Sequence, residues 1–292
     1  MSSNRFREWY RGRSRPSRAR ILAHRGDSFR APENTLEAAR LGFSAGADGW
    51  ELDVRLTADG HPVVIHDESL RRTTNVAEVF AGDDRGLIGF PVSQFTLEEL
   101  QWLDAGSWFV DERSIEPRSA RGFGTIDLVD RVQYGSGSIR IPTLLEALLW
   151  TMDVDWLVNV EIKPTSDDSD ALVRSVLATI ERTRAWNSVT ISSFDHAVVE
   201  SVVRNEPRVA TGALISGPLD PRTASWIEWL AIDAVHGPPS SSAPLPARPL
   251  LVYTVNDSSP DGLATQLFAS GVTGIFTDDP IHFRRVDPIN QS

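Results

Sequence analysis

Apolar and polar positions along most of the chain follow two alternating periods, which predict a regular succession of strands and helices. Short apolar or period-two runs recur eight times, and most are separated by amphipathic helical segments. This succession predicts a (β/α)8 TIM barrel, whose site lies at the C-terminal ends of the strands. The predicted strands are residues 21–24, 49–56, 157–163, 189–193, 209–215, 231–236, 250–255 and 274–277, with later helices around 169–185, 195–205, 222–230 and 259–270.

Residues 49–66 predict a β-hairpin that extends the second strand. The alternation places Glu51 and Asp53 on the same face of that strand. Asp59-Gly60 is a strong turn signal, and the returning strand ends at His66. A two-residue loop places His66 opposite Asp53, although a register shifted by one residue is left open.

The segment from about 67 to 140 interrupts this pattern and predicts a small insertion over the barrel mouth. A capping box at Thr96-Leu97-Glu98-Glu99 starts a short helix within it. Residues 111–140 show little periodicity and predict a loop. After the insertion, Pro142-Thr143-Leu144 opens an amphipathic helix that extends to about Met152.

The composition fits one large α/β domain. The chain has 292 residues, of which 41% are hydrophobic, enough for a sizeable core. It has no cysteine, which excludes disulfides, a thiolate nucleophile and a cysteine-ligated zinc. A metal in this chain must use oxygen or imidazole ligands, which favours Mg²⁺ or Ca²⁺ as the divalent cation.

Charge separates a basic N-terminus from an acidic body. Residues 1–20 contain seven Arg and one Glu, within a chain whose net charge is −11. We favour a mobile, solvated arm over residues 1–20, although Phe6, Trp9 and Tyr10 could dock it onto the body or a membrane surface. Residues 21–283 then form the barrel domain, and residues 284–292 a C-terminal tail.

Charge and hydropathy also limit the cellular location and the classes of partner that we expect. No apolar segment suits a signal peptide or a bilayer span, so we expect a cytoplasmic protein without stable membrane insertion. The acidic body argues against a nucleic-acid partner. The oligomeric state is left open.

Glu51, Asp53 and Glu161 are carboxylates near the C-terminal ends of predicted strands, where a barrel brings them together. They lack local cationic partners of matching number, and a divalent cation would offset their repulsion. Exposed acids at loop ends are the alternative for any one of them alone. His24 and His66 converge on the same cluster and are candidates for acid/base chemistry, since an imidazole titrates near neutral pH.

A series of short motifs runs through roughly residues 20–283. In chain order they are His24-Arg25-Gly26, Pro32-Glu33-Asn34-Thr35, Glu51-x-Asp53-Val54, Thr57-x-Asp59-Gly60, His66-Asp67, Leu103-Asp104-Ala105-Gly106-Ser107-Trp108-Phe109, Ile141-Pro142-Thr143-Leu144, Glu161-Ile162-Lys163, Ser192-Ser193-Phe194, Tyr253-Thr254-Val255-Asn256 and Gly274-Ile275-Phe276-Thr277-Asp278-Asp279-Pro280. This series resembles the signature of the glycerophosphodiester phosphodiesterase family. Several dispersed motifs in one order are more specific than any single motif.

The resemblance implies a metal-dependent enzyme that cleaves a glycerophosphodiester to glycerol 3-phosphate and an alcohol. It assigns metal ligation to Glu51, Asp53 and Glu161. It also divides the acid and base roles between His24 and His66, without an assignment of which histidine is the acid. Attack by water and attack by a neighbouring hydroxyl of the substrate are both left open.

Phosphate binding is expected from Arg25 and Lys163. Lys163 is the only lysine of the chain, against 28 arginines, which favours a need for a compact ammonium beside Glu161. A chance surface lysine is the alternative.

The expected substrate pocket contains Asn34, Phe194 and Tyr253. Phe194 and Tyr253 would form an apolar wall, although the family usually has tryptophan where Tyr253 stands. Asn34 would hold a metal ligand or His24 in place, and a plain helix cap explains it equally well.

Two other functions are compatible with the same core. A lysophospholipase D would need an apolar track for an acyl chain, which Trp108, Phe109 and the insertion could provide. A catalytically silent binding barrel would show gaps among the candidate residues, and none is missing.

Overall fold

The computed structural model describes residues 4–11, 20–111, 124, 126–242, 247–257, 259 and 262–285. Nine strands lie in these ranges. They are β1 (Ile21–His24), β2 (Gly49–Leu56), β3 (Pro62–Val64), β4 (Leu157–Ile162), β5 (Val189–Ser193), β6 (Ala210–Leu214), β7 (Ala234–Gly237), β8 (Leu250–Val252) and β9 (Gly274–Thr277).

Eleven α-helices accompany these strands in the same described ranges. They are α1 (Arg5–Arg11), α2 (Leu36–Ser44), α3 (Val76–Val79), α4 (Leu97–Leu100), α5 (Leu128–Tyr134), α6 (Leu144–Asp153), α7 (Ser169–Thr183), α8 (His196–Asn205), α9 (Pro221–Trp229), α10 (Leu263–Ala269) and α11 (Pro280–Arg285). None of the helices described here has the length and apolar character needed to cross a membrane.

Eight of the strands form a closed parallel barrel. From β1 the order runs through β9, β8, β7, β6, β5 and β4 to β2, and β2 pairs with β1 again. Apolar side chains between the strands and the surrounding helices form the main core, in which Trp50, Val160 and Ile191 are fully buried. The predicted (β/α)8 architecture is confirmed, and every strand of the barrel delivers its C-terminal end to one face.

The hairpin after β2 has a register that differs by one residue from the prediction. Val54 pairs with Val64, and the amide of Ile65 donates to the carbonyl of Asp53 at 3.0 Å. Asp53 therefore lies opposite Ile65 and not opposite His66. The shifted register is the alternative that the sequence left open.

The cause of this shift is the length of the turn. The amide of Thr57 donates to the carbonyl of His61 at 3.0 Å, which leaves three residues in the loop. The third of them, Gly60, has a φ of +82°, the left-handed conformation of a three-residue hairpin loop. The prediction of a turn at Asp59-Gly60 is thus correct, but the loop also includes the residue before Asp59.

Residues 4–11 do not form a mobile arm. They contain α1, which covers the N-terminal end of the barrel, and Phe6 of this helix has no exposed surface. Arg7 forms an ion pair with Asp233 at 2.9 Å, and Asn4 Nδ2 donates to the carbonyl of Val189 at 3.1 Å. Aromatic docking onto the body, the second possibility raised by the sequence, describes this segment, because burial of its aromatic rings outweighs the solvation of its basic residues.

The insertion between β3 and α6 has a hydrophobic core of its own. Its buried side chains include Leu70, Val76, Phe90, Phe95, Leu100, Leu103, Phe109 and Tyr134. The predicted capping box starts α4, with reciprocal bonds between Thr96 and Glu99. The loop prediction over residues 111–140 is wrong for α5, which anchors the insertion through Tyr134; residues 112–123 and 125 of that prediction lie outside the described ranges.

Candidate active site

The C-terminal ends of the barrel strands surround a cleft of about 170 Å³. Eight of the ten candidate residues line it, whereas Asp53 and Asn34 lie behind this lining and are buried. The lining candidates are His24, Arg25, Glu51, His66, Glu161, Lys163, Phe194 and Tyr253. The convergence expected from strand ends alone is therefore present in the fold.

Glu51, Asp53 and Glu161 form one buried cluster. β2 and β4 are paired so that Asp53 lies beside Glu161, and one oxygen from each of the three carboxylates lies within 4.8 Å of the others. Glu51 is 2% exposed, and its Oε1 has no hydrogen-bond partner. Burial and the neighbouring Asp53 raise the pKa of Glu51 to about 8. Unpaired carboxylate oxygens in this arrangement fit a divalent cation, which the cluster could hold.

Two cations lie beside Asp53 but do not balance the cluster. Arg25 Nε lies 3.3 Å from Asp53 Oδ2, and Lys163 Nζ lies 3.4 Å from Asp53 Oδ1. Burial alone would raise the pKa of Asp53, but Arg25 and Lys163 outweigh it and hold that pKa well below its usual range. Lys163 also donates to Glu161, and Arg25 is shared with Glu33 at 2.8 Å. The charge of Arg25 is thus shared with a carboxylate outside the cluster, and two cations are left for three clustered carboxylates.

The turn after β1 holds Arg25 in an uncommon backbone conformation. Its φ is +58°, and its amide donates to Glu51 Oε2 at 3.0 Å. The next residue, Gly26, packs against Ala38 so closely that a Cβ would lie 2.4 Å from the Ala38 carbonyl carbon. Only glycine fits there, so the turn brings a backbone donor to the carboxylate cluster.

Asn34 supports Asp53 and does not line the cleft. Asn34 Nδ2 donates to Asp53 Oδ2 at 2.8 Å, and the amide of Asp53 donates to Asn34 Oδ1 at 3.1 Å. The cap of α2 is Thr35, whose side chain accepts from the amide of Ala38. The sequence assigns Asn34 to the substrate pocket; the structure places it behind the cluster, where the paired bonds orient a candidate ligand.

His24 is held by the partly buried carboxylate of Asp278. Its Nδ1 donates to Asp278 Oδ1 at 2.7 Å, because an ionised carboxylate can only accept. Ser28 and Asn256 donate to the same carboxylate at 3.1 and 2.7 Å. Burial alone would raise the pKa of Asp278, but the bond and charge of His24 lead the effects that lower it to about 2. Nδ1 is thereby occupied, and Nε2 lies 3.9 Å from Glu51.

His66, which also lines the cleft, has a similar arrangement. Its Nδ1 donates to Asp67 Oδ1 at 2.6 Å. Asp67 also accepts from Arg72 Nε at 2.6 Å, and Arg72 forms a second ion pair with Glu33 at 2.7 Å. Since Glu33 pairs with Arg25, a chain of charges connects the insertion to the carboxylate cluster.

Phe194 and Tyr253 form an aromatic wall. Their ring centroids lie 5.9 Å apart at an interplanar angle of 83°. The hydroxyl of Tyr253 donates to the carbonyl of Ile215 at 2.6 Å, which fixes the ring. Burial and the charge of Glu161 raise the pKa of Tyr253 to about 12, so its hydroxyl stays protonated.

The apolar track considered for an acyl chain is not formed by Phe109. That ring has no exposed surface and packs edge to face on Tyr134 within the insertion core. Trp108 is partly buried, and the guanidinium of Arg72 lies 6.0 Å from its ring centroid. Neither ring lines the cleft.

The sequence motifs assign no role to three residues of the site. Asp67 and Asp278 orient the two histidines, and both stand in the motifs without an assigned role. Asn159 forms part of the cleft floor, is 1% exposed, and has an amide oxygen without a partner. Its position two residues before Glu161 on an alternating strand was a signal that it faces the same way.

Comparison with known proteins agrees with the geometry. The family model described as the glycerophosphoryl diester phosphodiesterase family matches residues 24–282. A glycerophosphodiester phosphodiesterase from Caldanaerobacter subterraneus subsp. tengcongensis is 35% identical over 270 residues, which cover 89% of this chain and 94% of the relative.

Solved structures give the same result. A phosphodiesterase of Oleispira antarctica, in complex with the product sn-glycerol-3-phosphate, has a TM-score of 0.72 at 26% identity and covers 94% of this chain and 98% of its own. A putative glycerophosphoryl diester phosphodiesterase from Silicibacter pomeroyi has a TM-score of 0.75 at 26% identity, over 93% of both chains. The barrel, the carboxylate cluster and a family match that spans most of the sequence lead to one conclusion: the chain belongs to the glycerophosphoryl diester phosphodiesterase family.

Proposed function

We propose that the chain hydrolyses a glycerophosphodiester to glycerol 3-phosphate and an alcohol. The observation that carries the proposal is the buried cluster of three carboxylates with Lys163 beside it and two histidine–aspartate pairs at the same cleft. The product bound to the Oleispira antarctica phosphodiesterase supports the choice of glycerol 3-phosphate.

The proposed metal ligands are Glu51, Asp53 and Glu161. Their hard oxygen donors suit Mg²⁺ or Ca²⁺, and the unpaired Oε1 of Glu51 is an available donor. When bound, the ion would neutralise the cluster and polarise the phosphate. Asn34 keeps Asp53 in place for this role through its two hydrogen bonds.

Arg25 and Lys163 are the proposed phosphate-binding residues. Both line the cleft, and both lie within 3.4 Å of Asp53. The guanidinium and the ammonium would stabilise the charge that develops on the phosphate oxygens in the transition state. Because the neighbouring ion pairs hold each cation in advance, little reorganisation accompanies the reaction.

His24 and His66 are the proposed acid/base pair. In each ring Nδ1 is bound to a carboxylate, so Nε2 is the nitrogen that exchanges protons with the substrate. One imidazole accepts the proton of the attacking oxygen, and the other donates a proton to the leaving alkoxide. Asp278 and Asp67 orient the rings and stabilise the imidazolium form.

Phe194 and Tyr253 are the proposed wall for the carbon skeleton of the glycerol. Residues 21–283 form the proposed catalytic domain, with residues 67–140 as its insertion. The cytoplasmic location remains a prediction from the sequence.

The test is release of glycerol 3-phosphate from glycerophosphocholine and glycerophosphoethanolamine, with and without EDTA. We expect metal-dependent release that His66→Ala reduces by about 10²-fold or more. His61→Ala is the matched control, because its side chain is half exposed and lies outside the lining of the cleft. Folded protein that releases no product from either diester with Mg²⁺ or Ca²⁺ would contradict the proposal.

A further inference from the structure

A second cleft adjoins the candidate active site. Its volume is about 380 Å³, and it shares Glu161, Lys163 and Phe194 with the first cleft. Its other walls are residues 162 and 164–166 at the end of β4, residues 193 and 195 at the end of β5, and Arg55 of β2. A molecule bound at Lys163 can therefore extend from one cleft into the other.

Arg55 connects this second cleft to the catalytic candidates. Its Nε donates to the carbonyl of His66 at 2.8 Å, and its Nη1 lies 3.4 Å from the carbonyl of Lys163. A guanidinium has five N–H donors, and the remaining three have no acceptor within the described part of the chain. Arg55 forms no ion pair there either, and its side chain is only partly buried, so it can donate to a ligand.

The lining of the cleft is polar. Thr165, Ser166 and Asp195 contribute hydroxyl and carboxylate groups, whereas Ile162, Pro164 and Phe194 are its apolar members. Ile162 itself has no exposed surface. Three apolar residues do not form a track for a long acyl chain, which would need a continuous apolar surface.

A quaternary ammonium would also be poorly held. Such groups are usually bound by the faces of aromatic rings, and Phe194 is the one aromatic residue that lines this cleft in the described structure. The ammonium of Lys163 already lies 5.9 Å from the centroid of that ring. A second cation at this ring would be repelled by the first.

We infer that the second cleft binds the leaving alcohol, and that it favours an uncharged polyol such as glycerol or inositol over choline. This inference rests on the proposed function. Hydrolysis breaks the bond between phosphorus and the alcohol oxygen, water supplies the hydroxyl that replaces it, and the alcohol leaves with a proton. The cleft adjoins the first at Lys163, and its Arg55 holds the carbonyl of His66, so an alcohol released from a phosphate at Lys163 can enter it.

The experiment compares kcat/KM for glycerophosphoinositol and glycerophosphocholine, followed by release of glycerol 3-phosphate. We expect the wild type to favour the polyol diester by about tenfold, as a hydrogen bond to a charged group would give. Arg55→Met and Thr165→Val should each move this ratio toward one. Arg40→Met is a matched control, because Arg40 lies on the exposed surface of α2, and it should leave the ratio unchanged.

Two variants are needed because Arg55 also supports the backbone of His66. If Arg55→Met lowers kcat/KM equally for both substrates, the loss comes from the missing support of the His66 backbone. The inference then depends on Thr165→Val, and an unchanged ratio in this variant would overturn it. A wild type that cleaves both diesters equally would overturn this inference alone, whereas a folded enzyme that cleaves neither diester would overturn the proposed function with it.

Discussion

The two ends of the barrel are built on opposite principles. At the N-terminal end, α1 covers the strands, and its polar groups find partners in Asp233 and in the carbonyl of Val189. At the C-terminal end, carboxylates face one another, and buried oxygens of Glu51 and Asp53 have no hydrogen-bond partner. The paired polar groups of α1 stabilise the fold, whereas the unpaired carboxylate oxygens at the other end fit a ligand that completes the structure. Substitutions at the N-terminal end should therefore affect stability, and substitutions at the C-terminal end should mainly affect activity.

The largest expected effect is loss of activity in Glu51→Gln. We expect activity to fall by about 10³-fold or more, because the amide is a weaker metal ligand than the carboxylate. Above about pH 8, where the Glu51 carboxyl of the metal-free protein ionises, the variant should have a melting temperature higher by a few degrees, since the amide removes a charge from a repulsive cluster. Kinetics with added Mg²⁺ or Ca²⁺ and thermal unfolding in EDTA measure the two effects.

Glu37→Gln is the control for this substitution, because Glu37 lies on α2 and pairs only with the exposed Arg40 among the described residues. It should change neither property appreciably. A lower melting temperature for metal-free Glu51→Gln above about pH 8 would contradict the view that the ionised cluster is electrostatically costly without its ligand.

Phe6→Ala should show the opposite pattern at the other end of the barrel. Loss of this fully buried ring is expected to lower the free energy of unfolding by about 3–5 kcal/mol. The kcat of the remaining folded protein should stay unchanged, since α1 lies at the end opposite the cleft. Leu87→Ala, at a side chain that is 87% exposed, should change stability by less than about 0.5 kcal/mol. A fall in kcat without a fall in stability would show that the two ends are coupled.

Asp278→Asn tests whether carboxylates at the open end serve chemistry. The neutral amide can no longer stabilise a charged His24 ring, so kcat should fall by about 10²-fold. The pH–rate profile should shift as well, a change that a purely structural role would not produce. Asp257→Asn, at an exposed residue of the same face, should leave both unchanged. An unaltered pH profile in Asp278→Asn would refute the orienting role.

The smallest expected effect is a pH dependence of stability in the metal-free protein. The pKa of Glu51 rises from 4.5 to about 8 on folding, so its carboxyl binds a proton more tightly in the native state. The resulting stabilisation is complete below the unfolded value and is lost as pH rises through about 8. The melting temperature in EDTA should thus be lower at about pH 9 than at about pH 6, by a few degrees. Glu51→Gln should show a smaller difference, and an equal difference would assign the effect to other groups.

Local sequence patterns predicted the barrel well because strand alternation and apolar helix faces are local properties. They failed where contacts distant in sequence outweigh local ones. The basic composition of residues 1–20 favours a solvated arm, yet Phe6 and Tyr10 are buried against inner strands of the barrel. Likewise, glycines near α5 predict a loop, although Tyr134 packs into the insertion core and stabilises a helix.

The candidate site shows the same division at the level of single residues. Convergence of Glu51 and Glu161 followed from strand ends, because parallel strands deliver their C-termini to one face. The hydrogen-bond partners of each group could not be predicted from strand ends. Asp278 lies 254 residues from His24 along the chain, and Arg55 has its acceptors in two different loops.

The sequence by itself determined which strands carry the candidate residues, which donor types are available to a metal, and the family. Only the tertiary structure decided which charges remain unpaired, which nitrogen of each histidine is free, and that a polar second cleft adjoins the first. The reason is physical: residue identity and period depend on neighbours along the chain, whereas burial and pairing depend on neighbours in space.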